Sequence, residues 1–246
     1  MSFNDNAKQL FKKWTGLSVY KSLPIGLDAL ENVRRKLPHY KFKTFLDVGA
    51  NVGQSATYIR HHFPESHIYC VEPIKDTFHT LQQNTKGLNL SYHNIALGSA
   101  NEEVEVQVDV DNLKSDRNSL LGNHTQHAGS ATIKTETVQV QTLQQFSKAN
   151  GINFIDYLKI DTEGYDLEVL KGAVEMLESA SIAFVEAEVS MNPHNTFHVD
   201  FIDVKRFLEK YNYMLFGIYE QIQERREMVP VLRRANVLFI SGKLMA

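Results

Sequence analysis

Two groups of residues in this chain have types and spacing suited to chemistry: a glycine-bearing turn, and carboxylates at the ends of apolar runs. The first is Asp47-Val-Gly-Ala-Asn-Val-Gly53, which closes the run Thr44-Phe45-Leu46-Asp47-Val48. Glycines at such a turn let a ligand approach the backbone closely. Their spacing is Gly-x-x-x-Gly, neither the dinucleotide fingerprint nor a phosphate loop, which needs Gly-Lys-Ser/Thr. Asp47 suits a cationic or hydroxyl-bearing ligand better than a pyrophosphate; the plainer alternative is a tight turn in which Asp47 bonds backbone amides. Glu72 ends the next apolar run, His67-Ile-Tyr-Cys-Val71. An acid there is placed to hold ribose hydroxyls, because a carboxylate offers two acceptor oxygens. The alternative is an acid favoured by the dipole of the helix that follows. Asp161 and Glu163 follow a later apolar run, Ile155–Ile160, and Glu186 and Glu188 end the one after it. Alternate strand positions put Glu186 and Glu188 on one face. Neighbouring carboxylates raise one another's pKa, which suits a general base.

These residues need strands to carry them and helices to follow. Strands are expected at 44–48, 67–71, 90–93, 155–160, 182–189, 213–219 and 236–240. Helices are expected at 54–62, 75–84, 165–177 and 200–210, the third with Leu167, Leu170, Val174 and Leu177 at helical spacing. Alternation of this kind implies βαβ units and a largely parallel sheet covered on both faces. Ligands in such sheets sit beyond the C-terminal strand ends, where the strand order reverses. Two runs, 104–108 and 137–140, alternate with period 2 and suggest an antiparallel pair or sheet edge. Between them lies a polar stretch, about 109–134, long for a connection. Residues 1–40 read as a helical extension, with Leu27, Leu30, Val33 and Leu37 near helical spacing, Pro24 in the first turn and Pro38 as the stop.

The composition excludes several classes. The chain has 246 residues, is 43% hydrophobic and 22% charged, and carries a formal net charge of -3. That balance argues against a general electrostatic grip on nucleic acid. The single cysteine, Cys70, leaves no intramolecular disulfide and no cysteine-built zinc cage; lying inside a strand, it is expected to be buried and inert. No apolar run is long enough to span a membrane. The start lacks a signal-peptide core, and a cytoplasmic location is expected.

Taken together, Asp47-Val-Gly-Ala-Asn-Val-Gly53, Val71-Glu-Pro73 and Asn94-Ile-Ala-Leu-Gly98 resemble a class I S-adenosylmethionine methyltransferase. The segment Tyr157-Leu-Lys-Ile-Asp-Thr-Glu-Gly-Tyr-Asp-Leu-Glu-Val-Leu-Lys-Gly-Ala173 narrows the likeness to the FkbM family. Phe184–Val189 and Arg234–Ile240 resemble it too, so the likeness covers about residues 43–241. It implies an α/β, Rossmann-like fold: a mostly parallel seven-stranded sheet with helices on both faces and an antiparallel last strand pair. Residues 41–246 would form the methyltransferase domain, with 109–134 as its variable loop. The resemblance also implies cofactor contacts. Gly49, Ala50, Asn51 and Gly53 would line the methionine end, Glu72 would hold the ribose with Pro73 beside the adenine, and Asn94 and Ala96 would border the adenine. Asp161 would lie near the methionine amino group or the reacting hydroxyl, and Ser119 of Asn118-Ser-Leu120 would serve the cofactor side.

The implied reaction is methyl transfer to a hydroxyl of a sugar, polyketide or similar small molecule. A sulfonium donor is favoured by nearby acids such as Asp47 and Asp161. The hydroxyl needs a base, for which Asp161, Glu163 and Glu188 are the candidates, and Glu188 aligns with the acid that the family places after this strand. No metal is assigned; magnesium held by Asp161, Glu163 and Glu188 is the less favoured variant. His194 and His198 are read as a solvated or substrate-facing pair, His124 and His127 as exposed. Arg225-Arg226 and Arg233-Arg234 are read as an exposed basic edge that discourages sheet pairing. Phe11 and Trp14 fit an oligomer contact, a homodimer included, or a cap on the core. The expected partner is a hydroxylated small molecule, with no nucleic acid and no membrane. The competing readings are a nicotinamide oxidoreductase and a non-catalytic cofactor-binding or interaction protein on the same fold.

Overall fold

The structure is a computed structural model that describes residues 3–17, 24–109, 133–195, 197–224 and 230–245. The chain divides into two compact units, Met1–Tyr40 and Lys41–Ala246. The first unit holds α1 (Phe3–Thr15) and α2 (Ala29–Lys36). Asp28, rather than Pro24, opens α2: its carboxylate accepts the Glu31 amide at 2.8 Å, the usual role of an N-cap acid. Leu30 and Val33 are buried, whereas Leu27 precedes the cap and is exposed. The helix stops at Lys36, two residues before Pro38.

Among the described residues, the second unit contains ten strands. They are β1 (Thr44–Val48), β2 (His67–Val71), β3 (Ser91–His93), β4 (Ala96–Gly98), β5 (Glu102–Asp109), β6 (Ile133–Thr142), β7 (Ile155–Ile160), β8 (Ile182–Ser190), β9 (Tyr213–Gln223) and β10 (Leu232–Ser241). Its helices are α3 (Gln54–His62), α4 (Lys75–Asn84), α5 (Leu143–Ala149), α6 (Asp166–Lys171), α7 (Val174–Glu178) and α8 (Phe201–Glu209). The principal sheet has seven strands in the order β3-β2-β1-β7-β8-β10-β9. Its pairs are parallel except those of β10, which runs antiparallel to both β8 and β9. This is the mostly parallel seven-stranded sheet with an antiparallel last strand pair that the resemblance implied.

Strands β7 and β8 are buried along nearly their whole length. Strands covered on both faces read as continuous apolar runs, which is why both were visible in the sequence. The acid inside β7 has a structural use: Asp156 accepts the amides of Lys43 and Thr44 at 3.0 and 2.8 Å and so fixes the start of β1. The order reverses at β1, which lies between β2 and β7. The crevice therefore opens over the C-terminal ends of these strands.

Four features depart from the sequence reading. The alternating runs do pair antiparallel, as β5 with β6, but β4 adds parallel to β6 to make a separate three-stranded sheet. One face of it buries Val106, Val108, Val138 and Val140 against Ile74 and Ala96. The connection from β5 to β6 is also shorter than expected, since strand runs through Asp109 and resumes at Ile133. The expected helix 165–177 is two short helices with a break at Gly172-Ala173. A Cβ at Gly172 would stand 2.0 Å from the Gly98 carbonyl oxygen, so the helix lies directly on β4 and only glycine fits there. Arg233 and Arg234 do not form an edge either. They lie in β10, an interior strand between β8 and β9.

Candidate active site

The turn after β1 is built by close backbone packing. The amides of Gly49 and Ala50 both donate to the Val71 carbonyl, at 2.9 and 3.0 Å. Gly49 has φ +80°, and a Cβ there would stand 2.0 Å from the carbonyl oxygen of Asp161. The ends of β1 and β7 thus meet across a bare glycine, held also by the Asp161 amide donating to Val48. Gly53, with φ +94°, would place a Cβ 2.5 Å from the Thr85 side chain; it lets α3 start against α4.

Glu72 sits at the end of β2 and is 6% exposed. Its Oε2 accepts the Asn51 amide and its Oε1 the Ile74 amide, each at 3.0 Å. Burial pushes its carboxyl up to about 7, although the Ile74 and Asn51 amides pull the other way. Asn94 supports this corner from behind, donating to the carbonyls of Glu72 and Pro73 at 2.9 Å. A cleft opens above, with an empty volume of ≈ 740 Å³ that includes its open mouth. Of the residues expected to touch a cofactor, Gly49, Asn51, Glu72, Pro73, Ala96 and Asp161 line it, together with Thr162 and Glu163. Asp47, Ala50, Gly53 and Asn94 are not among the residues that line it. Ser119 falls outside the described residues, as do His124, His127, Arg225 and Arg226.

Asp47 is wholly buried, and neither carboxylate oxygen has a hydrogen-bond partner among the described residues. Burial pushes it up to about 6, with the Lys159 ammonium opposing. A buried acid without partners is costly when ionised. Its folded pKa lies above the unfolded one, so its favourable contribution is complete below ~pH 4 and is lost as pH rises through about 6. The neutral Asp47→Asn variant is therefore expected to melt higher than the parent at pH 8. The gain is on the order of 3 kcal/mol, or ~6–12 °C for a chain of this size. Melting curves at pH 4 and pH 8 check this: the gap must widen with pH, and a gap independent of pH contradicts it.

Beyond the glycine turn lies a charged cluster. Lys159 donates to Asp161 at 2.8 Å. Burial would raise the Asp161 carboxyl, but Lys159, with Arg234 and His198, holds it below the ordinary carboxylate range. Asp161 is thus held as an anion with lowered basicity. Glu186 faces Lys159 and accepts the Tyr157 hydroxyl at 2.6 Å, and burial raises its pKa.

Glu188, 4% exposed, receives His198 Nε2 at 2.7 Å and is ion-paired with Arg234. Neither partner was assigned to it from sequence. His198 is buried, not solvated, and its neighbour His194 is exposed. The Asn195 amide is oriented by the Phe197 N–H on its Oδ1, so its Nδ2 donates to His198 Nδ1 at 3.1 Å. That leaves the imidazole proton on Nε2, directed at Glu188. Glu163 Oε2 lies 3.6 Å from the same Nε2. Glu163 itself has φ +53°, a left-handed backbone uncommon for a non-glycine residue and frequent at functional sites. Of Glu163, Glu188 and His198, it is the one that lines the cleft. The ligand atoms that lie together within 4.8 Å are those of Glu163, Glu188 and His198, not the Asp161 set considered for magnesium.

The family model "Methyltransferase FkbM domain" matches residues 47–215, well over half of the chain. The hexuronic acid methyltransferase AglP of Haloferax volcanii is 26% identical over 147 residues, 60% of this chain and 56% of that protein. Methyltransferase 1 of Beauveria bassiana is 26% identical over 141 residues, 52% of this chain and 57% of that protein. The chain thus spans about half the length of these curated relatives. Among solved structures, magnesium protoporphyrin IX methyltransferase of Synechocystis PCC 6803 is 9% identical with a TM-score of 0.45, covering 83% of this chain and 73% of that one. The matched region runs from the acid before the glycine turn into β9 and includes every described residue of the cleft wall, and on that match the chain belongs to the FkbM methyltransferase family.

Proposed function

We propose that the protein transfers a methyl group from S-adenosylmethionine to a hydroxyl of a small, sugar-like acceptor, with Glu163 as the general base. The observation that carries this reading is the position of Glu163, on the cleft wall and beside the buried Glu188–His198 pair. The cleft suits the cofactor. Its wall carries Glu72 and Asp161, acids matched to a sulfonium and an ammonium. Glu72 has both oxygens fixed by backbone amides, each with a further lone pair for the two ribose hydroxyls.

When bound, S-adenosylmethionine supplies an electrophilic methyl carbon. The chain's own residues supply alignment and proton removal. The glycine turn and Asp161 define one end of the cleft, and alignment of two reactants at near-attack distance accounts for much of the acceleration in such displacements. An alcohol is a weak nucleophile, and its proton leaves as the new bond forms; Glu163 takes that proton. Glu188 is held by Arg234 and His198, so it acts as a fixed anion that orients His198 against Glu163. Asp161, tied to Lys159, stays ionised throughout and offers a standing negative charge to the donor.

The sugar-like acceptor rests on a relative whose name is hexuronic acid methyltransferase, and on the need of a hydroxyl, unlike a neutral amine, for a base during attack. The test is incubation with methyl-labelled S-adenosylmethionine and a panel of hexuronic acids, neutral sugars and hydroxylated polyketides. Label in an ether linkage on a panel member is expected. Label confined to amine acceptors contradicts O-methylation, and release of no label onto any acceptor favours a non-catalytic cofactor-binding role.

A further inference from the structure

Helix α1 is amphipathic, and its apolar face is uncovered. At 100° per residue, Leu10, Phe11 and Trp14 fall within one stripe of the wheel, and Leu17 follows just past the helix end. They are 59%, 44%, 86% and 63% exposed. Lys8, Lys12 and Lys13 lie around the polar side and are exposed too. The segment carries three lysines against one acid, Asp5, in a chain whose formal net charge is -3. The end of the stripe is defined locally: Gly16, at φ +72°, terminates the helix, and the Leu17 amide donates to Thr15 Oγ1 at 3.1 Å.

We propose that α1 lies in the surface of an anionic lipid bilayer, apolar stripe down, and tethers the protein there without spanning it. A helix with Leu, Phe and Trp on one face and Lys on the other binds in the plane of a membrane interface. Its lysines reach outward to the head groups while their stems cover apolar surface. Charge selects this occupant over a second copy: two copies packed on the stripe would bring their lysine-rich rims together. Among the described residues no helix is long and apolar enough to cross a membrane, and α1, at 13 residues, fits the interface instead. The sequence reading assigned no membrane partner, having weighed only spanning segments.

The only tryptophan of the chain is Trp14, so its emission reports this face alone. The full chain is mixed with vesicles of phosphatidylcholine, with or without phosphatidylglycerol, and followed by Trp emission and co-sedimentation. The expected result is red, water-exposed emission in buffer, and a blue shift with co-sedimentation on phosphatidylglycerol vesicles only. A variant carrying Lys8→Glu, Lys12→Glu and Lys13→Glu should bind at least ~100-fold more weakly, since each basic residue near such a surface adds about a factor of five. Phe11→Ser should also lose binding while keeping the Trp signal and the affinity for S-adenosylmethionine. Three outcomes overturn the proposal: no response to either vesicle; equal response to both; or blue emission in buffer with the molar mass of a dimer, which would assign the face to a second copy.

Discussion

Gly49→Val is expected to lose at least ~100-fold in affinity for S-adenosylmethionine, equivalent to about 2.7 kcal/mol. Two causes act together. The residue has φ +80°, a region in which a β-branched side chain is a clear outlier. The added Cβ also meets the Asp161 carbonyl oxygen at 2.0 Å, a backbone atom that cannot rotate away. Relief requires the ends of β1 and β7 to separate, which displaces Asp161 and the turn carrying Asn51, both on the cleft wall. Gly87→Ala separates the causes: it has φ +87° but nothing within 4 Å of an added Cβ. It should cost only the ~1–2 kcal/mol of left-handed strain and leave affinity unchanged. Calorimetric titration of both variants, with circular dichroism to confirm folding, checks this. Unchanged affinity in a folded Gly49→Val protein would mean that the cofactor does not sit against this turn.

Glu163→Gln is expected to lower kcat by ~10²–10⁴, the usual contribution of a positioned base. Affinity for S-adenosylmethionine should change by no more than a few-fold, because Glu72 and Asp161 remain. The amide keeps the shape and removes the proton acceptor. Single-turnover rates on the acceptor identified by label transfer, against pH, separate the roles. The parent should show an ascending acid limb that the variant lacks. A variant with unchanged kcat but raised KM would make Glu163 an acceptor-binding group and would return the base to Glu188.

What the sequence made legible follows the range of the interactions. The glycine turn, Glu72 and the Asp161–Glu163 pair each depend on a strand ending and a helix beginning within a few residues. Their spacing could be read directly. So could β7 and β8, whose double-sided burial leaves apolar runs broken only by Asp156 and Lys159 in the first and by Glu186 and Glu188 in the second. His198 and Arg234 were misread because their roles depend on pairing between distant segments. Antiparallel pairing sets Asn236 opposite Glu188 and Arg234 opposite Ser190, which makes Arg234 a diagonal neighbour of Glu188 on the same face. Seen alone, Arg233-Arg234 looks like a sheet rim. The Ser190 amide meets the Val199 carbonyl at 2.7 Å, and His198 beside it reaches Glu188. The i, i+4 spacing of His194 and His198 pointed to a shared helical face, but the segment is a loop and the two side chains part. Gly172 was unreadable for the same reason: its constraint is a contact with β4, a strand of three residues too short to stand out.

The account rests on one claim, that the cleft between the ends of β1, β2 and β7 is an S-adenosylmethionine site. Calorimetric titration of the purified chain with S-adenosylmethionine, its demethylated product and NAD tests it most directly. Saturable binding of both methionine compounds, with no heat from NAD, is the predicted result. Binding of NAD with neither methionine compound would contradict the account, because Glu72 would then serve a dinucleotide and the base assigned to Glu163 would have no methyl donor to answer to.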